Sequence, residues 1–378
     1  MDIITTTVSG PGPAERGAEI GSRFAVEIRE CVAGYLGFFE IRGVDQDRVR
    51  EIALSCFAAL EAWAPNLAAE LSATAEAATV PLWQLAALNA RTEVLAVVAP
   101  DTEGECSTAV FAPGGAGLPE TIQTWDWHAH LCRVGLIMSY APDVPDVPDA
   151  PLRGGDVAEA QRRVGRVTMF TELGVLGKIG VNDAGIGVHF NILHHASDRG
   201  VNGVPVHAIA RRVLDEATTV DEAEAIIASA PASASTVLTV VAAADAEHRA
   251  ACFEISPERV AAVRPDADGW LVHTNNFIAE SQLPGEATRD KSTTYVRLAH
   301  VRAQRERMAG QPMERRAAGM CGADGAEAPV CFRPDAAEPL HEQWTTLLTV
   351  GFDLADGVLE YFPGAPSVMA QEGARRFG

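Results

Sequence analysis

A chain of 378 residues with 47% hydrophobic content is long enough for one large core or two average ones. Its formal charge of −21 excludes DNA, RNA or an anionic membrane as the main partner, because each needs a basic face; solubility is the plain reading of that charge. Seven scattered cysteines without a CxxC pair speak against a disulfide scaffold or a cysteine zinc site, and fit reduced thiols in a cytoplasmic protein.

The opening "MDIITTTVSGPGPAERG" has neither the basic nor the apolar region of a signal peptide. Nowhere does the chain reach the ~18 uninterrupted apolar residues of a membrane helix. Residues 20–99 read as helical. Phe24, Ile28, Val32 and Leu36 stand four apart on one stripe, and "DRVREIALSCFAALEAW" repeats the pattern. Pro65 and Pro81 punctuate, and Thr79 is expected to cap the helix of "TVPLWQLAALNARTEVLAVV".

From Cys106 the texture changes to short runs rich in β-formers: "STAVFA", "TIQTWDW" and "RVGLIMSYA". A Pro/Asp loop, "APDVPDVPDAP", precedes "RVTMFTEL" and "GKIGVNDAGIGVHFNIL". The latter predicts two strands around a turn at Asn182-Asp183-Ala184-Gly185. Helical patterns return at "PVHAIARRVLDEA" and "VDEAEAIIASA", followed by strands at "STVLTVVAAA", "RAACFEIS", "RVAAVRP" and "GWLVHTNNF". A helix is expected over 292–308 and a long surface loop over 309–340. A hairpin around Ala355-Asp356-Gly357 is expected to close the chain. Strand runs interleaved with helix pairs predict a layered α+β domain with largely antiparallel sheets. There is no internal repeat, no P-loop and no Gly-x-Gly-x-x-Gly after a strand.

Cys106 is the candidate for chemistry. A cysteine reacts as a thiolate, and a free thiol with a pKa of ~8.5 needs activation. A cut just before Cys106 would free its own α-amine, whose pKa of ~7.7–8.0 suits a general base. The thiol could make that cut itself, attacking the carbonyl of Glu105 to give a thioester that water then resolves, with Gly104 permitting the sharp turn. The alternative is an ordinary buried thiol.

"ERGAEIG", "ALNARTEVL", "ECSTAVF", "TWDW", "GKIGVNDAGIGVHFNIL" and "HTNNF" occur in one order along nearly the whole chain. In that series the chain resembles the acyl-coenzyme A:6-aminopenicillanic acid acyltransferase family of autoprocessed N-terminal-nucleophile hydrolases, also classed as C45 peptidases. The resemblance implies a single αββα domain over 1–378: two antiparallel sheets between helical layers. It also implies cleavage between Glu105 and Cys106, giving an α chain (1–105) and a β chain (106–378) that stay associated. Glu105 departs from the glycine of the family's penicillin enzyme, which bears on the geometry of the cut.

In a strand, Trp125 and Trp127 share one face and Asp126 takes the other. The resemblance implies that Asp126 orients the nucleophile or assists proton transfer; a turn-capping aspartate is the alternative. Trp125, Trp127, His273 and Asn276 are candidates to line the substrate pocket, although packing alone would account for the tryptophans. A tetrahedral oxyanion needs preorganised donors, and the resemblance points to Asn275 as one, with His273 nearby. Asn276 stands where the family often has a second histidine, and two turn-forming asparagines are the competing reading. Arg297 is the candidate for the arginine that the family places in a late helix, with its spacing from the preceding serine shortened by one residue; a solvated surface charge is the alternative.

His128 and His130, or His194 and His195 with Asp198, lack a defined third-ligand spacing, so no metal is expected. The resulting expectation is a cysteine-dependent acyltransferase working through an acyl-enzyme thioester on a small-molecule acyl donor and amine, without a resident cofactor. A coenzyme A thioester could be the donor, although the chain shows no obvious basic cluster for its phosphates. An amidohydrolase of the same fold, an uncut binding or assembly relative, and a metal-dependent hydrolase are the alternatives.

Overall fold

The structure is a computed structural model that describes residues 1–98, 106–114, 117–143, 163–244, 249–288 and 292–378. Its first element was not expected: "DIITTT" forms strand β1 (Asp2–Thr7), which lies parallel to β4 (Val134–Tyr140). The lack of an apolar/polar alternation in this run and its edge position hide such a strand in sequence. Helices α1 (Pro13–Arg23), α2 (Ala25–Ile41), α3 (Gln46–Trp63), α4 (Pro65–Ala78), α5 (Leu82–Asn89) and α6 (Arg91–Leu95) follow, as the apolar periodicity predicts. Phe24, Ile28 and Val32 are buried, while Leu36 is half-buried. Thr79 corrects its expected role. It ends α4 in the left-handed region (φ 57°) instead of capping α5, because Pro81 supplies the turn into that helix.

Strands β2 (Ser107–Phe111) and β3 (Glu120–Trp127) pair antiparallel and lead to β4. The expected Pro/Asp loop falls almost wholly outside the described residues. β5 (Val167–Glu172), β6 (Ile179–Asn182) and β7 (Ile186–Ile192) form a meander; Gly185 takes φ 92° in the turn placed there by sequence. Next come α7 (Val206–Glu216), α8 (Val220–Ser229), β8 (Thr236–Ala242), β9 (Ala250–Ile255), β10 (Val260–Val263) and β11 (Trp270–His273).

After α9 (Thr294–Gln304), the expected surface loop over 309–340 gives way in part to α10 (Met313–Cys321). Its Met313, Ala317 and Met320 are buried, and Arg316 reaches the Thr121 carbonyl at 2.7 Å, so tertiary contacts hold a segment that composition alone leaves as loop. Cys321 and Cys331 end up with sulfurs 3.7 Å apart. β12 (Thr345–Asp353) and β13 (Val358–Phe362) make the expected hairpin, but it does not close the chain: α11 (Pro366–Glu372) and β14 (Arg375–Phe377) follow it.

The strands assemble into an eight-stranded sheet, β1-β4-β5-β6-β7-β8-β9-β10, and a six-stranded sheet, β11-β2-β3-β12-β13-β14. Every pairing but β1 with β4 is antiparallel. The sheets meet face to face, with Trp125 against Phe170 and His189 stacked on Phe352. Gln123 and Thr108 reach across the interface to the Phe190 carbonyl and to Asn191. Helices α7 and α8 cover the outer face of the larger sheet, and α9, α10 and α11 that of the smaller one, over Ala109, Ile122 and Val272. The architecture is therefore the four-layer αββα sandwich.

Residues before the 105–106 bond are threaded through those after it. Arg16 and Arg211 share the buried Glu70, Glu93 accepts from the Val206 amide at the start of α7, and β1 completes the large sheet.

Candidate active site

Cys106 immediately precedes β2 and is almost wholly buried. Because β11 pairs with β2, bringing His273 opposite Thr108, the chain leaving β11 carries Asn275 back to the cysteine. The Cys106 backbone N–H donates to Asn275 Oδ1 at 2.7 Å. From the other side α9 presents Arg297, whose guanidinium donates to the Cys106 carbonyl at 2.6 Å, to Ser107 Oγ at 3.0 Å and to Asn275 Oδ1 at 3.0 Å. The shortened spacing does not prevent this: Thr293, one turn back, anchors Arg297 Nε at 3.0 Å.

The orientation of the Asn275 amide follows from unambiguous partners. Two N–H donors meet its oxygen, and its nitrogen donates to the Ile192 carbonyl at 2.9 Å. The oxygen thus faces the cysteine nitrogen, and one of the two amide hydrogens expected to serve an oxyanion is engaged with Ile192. Thr294 Oγ1 accepts from the Asn275 backbone N–H at 2.8 Å and fixes the loop.

Asp126 is fully buried in β3, opposite Thr346, where the ladder with β12 shifts register. Burial first, and then the Asp126 carboxylate, push the Cys106 thiol up to about 12. Lys178, the Asp126 backbone N–H and Arg297 pull in the opposite direction.

Trp125 and Trp127 line a cavity with Cys106, joined by Leu95, Phe190, Ile192, Thr92, Arg91 and Lys178. It measures about 10 Å³, the room of one water molecule. His273 and Asn276 do not line it. The His273 ring is held between the Glu254 carboxylate and the Thr274 carbonyl, each at 2.8 Å. Asn276 is spent on the hydroxyls of Thr274 and Thr294, each at 3.0 Å. Both shape the loop that carries Asn275. Glu105 lies outside the described residues.

Four residues to which the sequence assigned no role belong to this place. Glu172 accepts from Tyr35 at 2.6 Å, from Lys178 at 3.0 Å and from Arg91, all of them buried. Their signal lay in "ALNARTEVL" and "GKIG", which hold Arg91 and Lys178. The histidines noted above are engaged otherwise: His128 Nδ1 with the Gln343 carbonyl at 2.8 Å, and His195 Nδ1 with Ser197 Oγ at 2.7 Å. Among the described residues, no group of three His, Cys, Asp or Glu is arranged to hold a metal ion, and no helix is long and apolar enough to cross a membrane.

Residues 160–367 match the sequence profile of a family described as acyl-coenzyme A:6-aminopenicillanic acid acyl-transferase. The match includes Asn275 and Arg297; Cys106 lies before it. A curated relative, the 40 kDa form of acyl-coenzyme A:6-aminopenicillanic-acid-acyltransferase of Emericella nidulans, is 33% identical over 112 residues, which is 30% of this chain and 30% of that protein's length. Among solved structures, a conjugated bile acid hydrolase from Clostridium perfringens superposes at a TM-score of 0.46 with 11% identity, covering 71% of this chain and 92% of that one. An N-acylethanolamine-hydrolyzing acid amidase ortholog of Caenorhabditis elegans does so at 0.41 with 13% identity, covering 70% and 97%.

Proposed function

The chain belongs to the acyl-coenzyme A:6-aminopenicillanic acid acyl-transferase family, and from that premise we propose that it is an autoprocessed, cysteine-dependent enzyme transferring an acyl group between small molecules. The observation that carries this reading is the grip on Cys106. A buried cysteine is held at its nitrogen by Asn275 Oδ1 and at its carbonyl by Arg297, and these two side chains are joined to each other. Any buried backbone N–H and C=O needs partners; here both partners are side chains joined to each other, brought from two distant elements.

In the proposed maturation, the Cys106 sulfur attacks the carbonyl carbon of Glu105. The C–N bond breaks, the nitrogen leaves as the α-amine, and water hydrolyses the thioester. Asn275 Oδ1 then accepts from that α-amine and aims it at the thiol, leaving the nitrogen lone pair for proton transfer. In turnover the α-amine takes the thiol proton and the thiolate attacks the substrate carbonyl. The tetrahedral oxyanion collapses to an acyl-enzyme thioester and the proton returns to the leaving group. The oxyanion would take the second Asn275 amide hydrogen and nearby backbone N–H groups as donors. An amine then resolves the thioester. The apolar walls at Leu95, Trp125, Trp127, Phe190 and Ile192 favour an amine over bulk water as the acceptor. A coenzyme A thioester is one donor of suitable chemistry, and no resident cofactor takes part.

Intact masses of the purified protein and of Cys106→Ala under denaturing conditions test this directly. Cleavage at 105–106 gives fragments of about 11 kDa (105/378 of 40.0 kDa) and about 29 kDa (273/378 of 40.0 kDa), the larger beginning at Cys106. Two fragments from the wild type and one chain from the variant are expected. A single uncut chain from both removes the α-amine mechanism.

A further inference from the structure

The charge cluster at Glu172 plays no part in the chemistry above. Glu172, Lys178, Arg91 and Tyr35 are each no more than 3% exposed. Tyr35 donates to one carboxylate oxygen; Arg91 and Lys178 both donate to the other. Two cations thus share one carboxylate in the buried interior. A buried cation is costly to desolvate, so a second one on a single carboxylate is a placement that its position relative to the sulfur can explain. Both cations sit on aromatic faces: Lys178 Nζ is 3.5 Å from the centre of the Trp125 ring, and Arg91 lies 5.3 Å from those of Tyr35 and Trp127. Lys178, Trp125 and Cys106 line the same cavity, so the Lys178 ammonium faces the sulfur.

We propose that Lys178 is the cation that stabilises the Cys106 thiolate, and that Glu172 holds it in place and keeps it charged. This rests on Cys106 being the nucleophile. When the α-amine takes the thiol proton, the electron pair left on sulfur comes to lie beside the Lys178 ammonium. The pair then forms the new C–S bond, and nothing is oxidised or reduced.

The groups facing the sulfur are Asp126 from β3, which opposes ionisation, and Lys178 and Arg297, which favour it. Those facing Lys178 are Arg91 from α6, Glu172 from β5 and Cys106 itself. The thiols of Cys31 and Cys132 and the imidazole of His207 from α7 adjoin the same cluster; burial, then Arg91 and Lys178, hold His207 neutral. Burial, and then Arg91, push Lys178 down to about 8, while Glu172 supports its charge. The ammonium form therefore prevails at neutral pH.

The test is the rate at which iodoacetamide alkylates Cys106 as a function of pH, read from the mass of the Cys106 peptide. It is run on wild type, Lys178→Met and Lys178→Arg. Lys178→Met leaves Glu172 paired with Arg91, and circular dichroism and urea denaturation establish that the variant is folded before its rate is read. Its Cys106 is expected to react about tenfold more slowly at a fixed pH, the equivalent of about one unit in thiol pKa. Lys178→Arg keeps the charge and is expected to keep the wild-type rate to within about threefold. Should the methionine variant fail to fold, Lys178→Gln, which keeps a donor for Glu172 without the charge, replaces it with the same slowing expected.

An unchanged pH profile in a folded, uncharged variant overturns the proposal. So does equal slowing in Lys178→Arg, which would make Lys178 a packing residue. A wild-type Cys106 that reacts no faster than the buried Cys252 at any pH instead defeats the nucleophile reading, an outcome visible before any Lys178 variant is made.

Discussion

Arg297→Ala removes a fully buried guanidinium that donates, among the described residues, to the Cys106 carbonyl, Ser107 Oγ, Asn275 Oδ1 and Thr293 Oγ1. The loss is unequal among them. Asn275 Oδ1 keeps the Cys106 N–H, and the two hydroxyls can rotate to new partners. The Cys106 carbonyl loses a charged donor, and a buried acceptor so deprived costs ~1–3 kcal/mol. The void left by the side chain beside Phe332 adds ~2 kcal/mol. The sum, ~3–5 kcal/mol, is a large part of the ~5–15 kcal/mol that holds a domain folded. Arg297→Lys offers a point charge in place of a fork and is expected to lose about half as much. Urea denaturation followed by tryptophan fluorescence reads the stability, and the time course of the about 11 kDa fragment (105/378 of 40.0 kDa) reads the chemistry. Both are expected to suffer, with fragment appearance slowed in Arg297→Lys as well. A wild-type urea midpoint in Arg297→Ala refutes the grip, and a lowered midpoint with an unchanged time course in Arg297→Lys refutes its part in the site.

Two other regions give separate tests. Glu93 is fully buried, and burial pushes its carboxyl up to about 8 although the Val206 amide favours the charged form. Its folded pKa lies above the unfolded one of ~4.3, so its stabilisation is complete at pH 4 and is lost as pH rises towards 8. Glu93→Gln is expected to match the wild-type urea midpoint at pH 4 and exceed it at pH 8; equal midpoints at both would refute the shift. Cys321 and Cys331, 3.7 Å apart, are expected to join on mild treatment with diamide, seen as a linked peptide two hydrogens lighter, while the fully buried Cys252 stays reduced. Recovery of both as free thiols would show that the backbone cannot bring the sulfurs to the ~2.05 Å of a bond.

Most of the sandwich was legible because its strands are buried and β-branched and its turn residues stand between them. Asn182–Gly185 marked one hairpin and Ala355–Gly357 another. What escaped needed partners distant in sequence. Met313, Ala317 and Met320 make a helical stripe only when the smaller sheet lies beneath them, and β1 is a strand only because β4 offers an edge. In the site, the cysteine and Asn275 were readable as chemistry. Arg297 could be named only from the resemblance, against a surface charge as the alternative, and it is α9 laid over β2 that buries it beside the cysteine. Lys178 and Glu172 were invisible for the same reason: a charge in a sequence reads as exposed, and only the tertiary fold shows that these two face each other in the dark of the core. His273 and Asn276 read as pocket residues because they sit near Asn275 in sequence, whereas their hydrogen bonds turn them into the loop.

The threading of residues 1–98 through the rest of the fold has a consequence for how stability is counted. Before the proposed cut, unfolding turns one molecule into one. After it, the same native contacts hold a complex of two chains, and unfolding turns one particle into two. Stability then acquires a dependence on protein concentration that the uncut chain lacks. Arg16 and Arg211 sharing Glu70, and β1 lying along β4, tie together the segments on either side of the proposed cut. Once separated, they would have to find each other again by diffusion. The order of events, folding first and cutting second, would thus be built into the mature protein as a step that it cannot readily retrace.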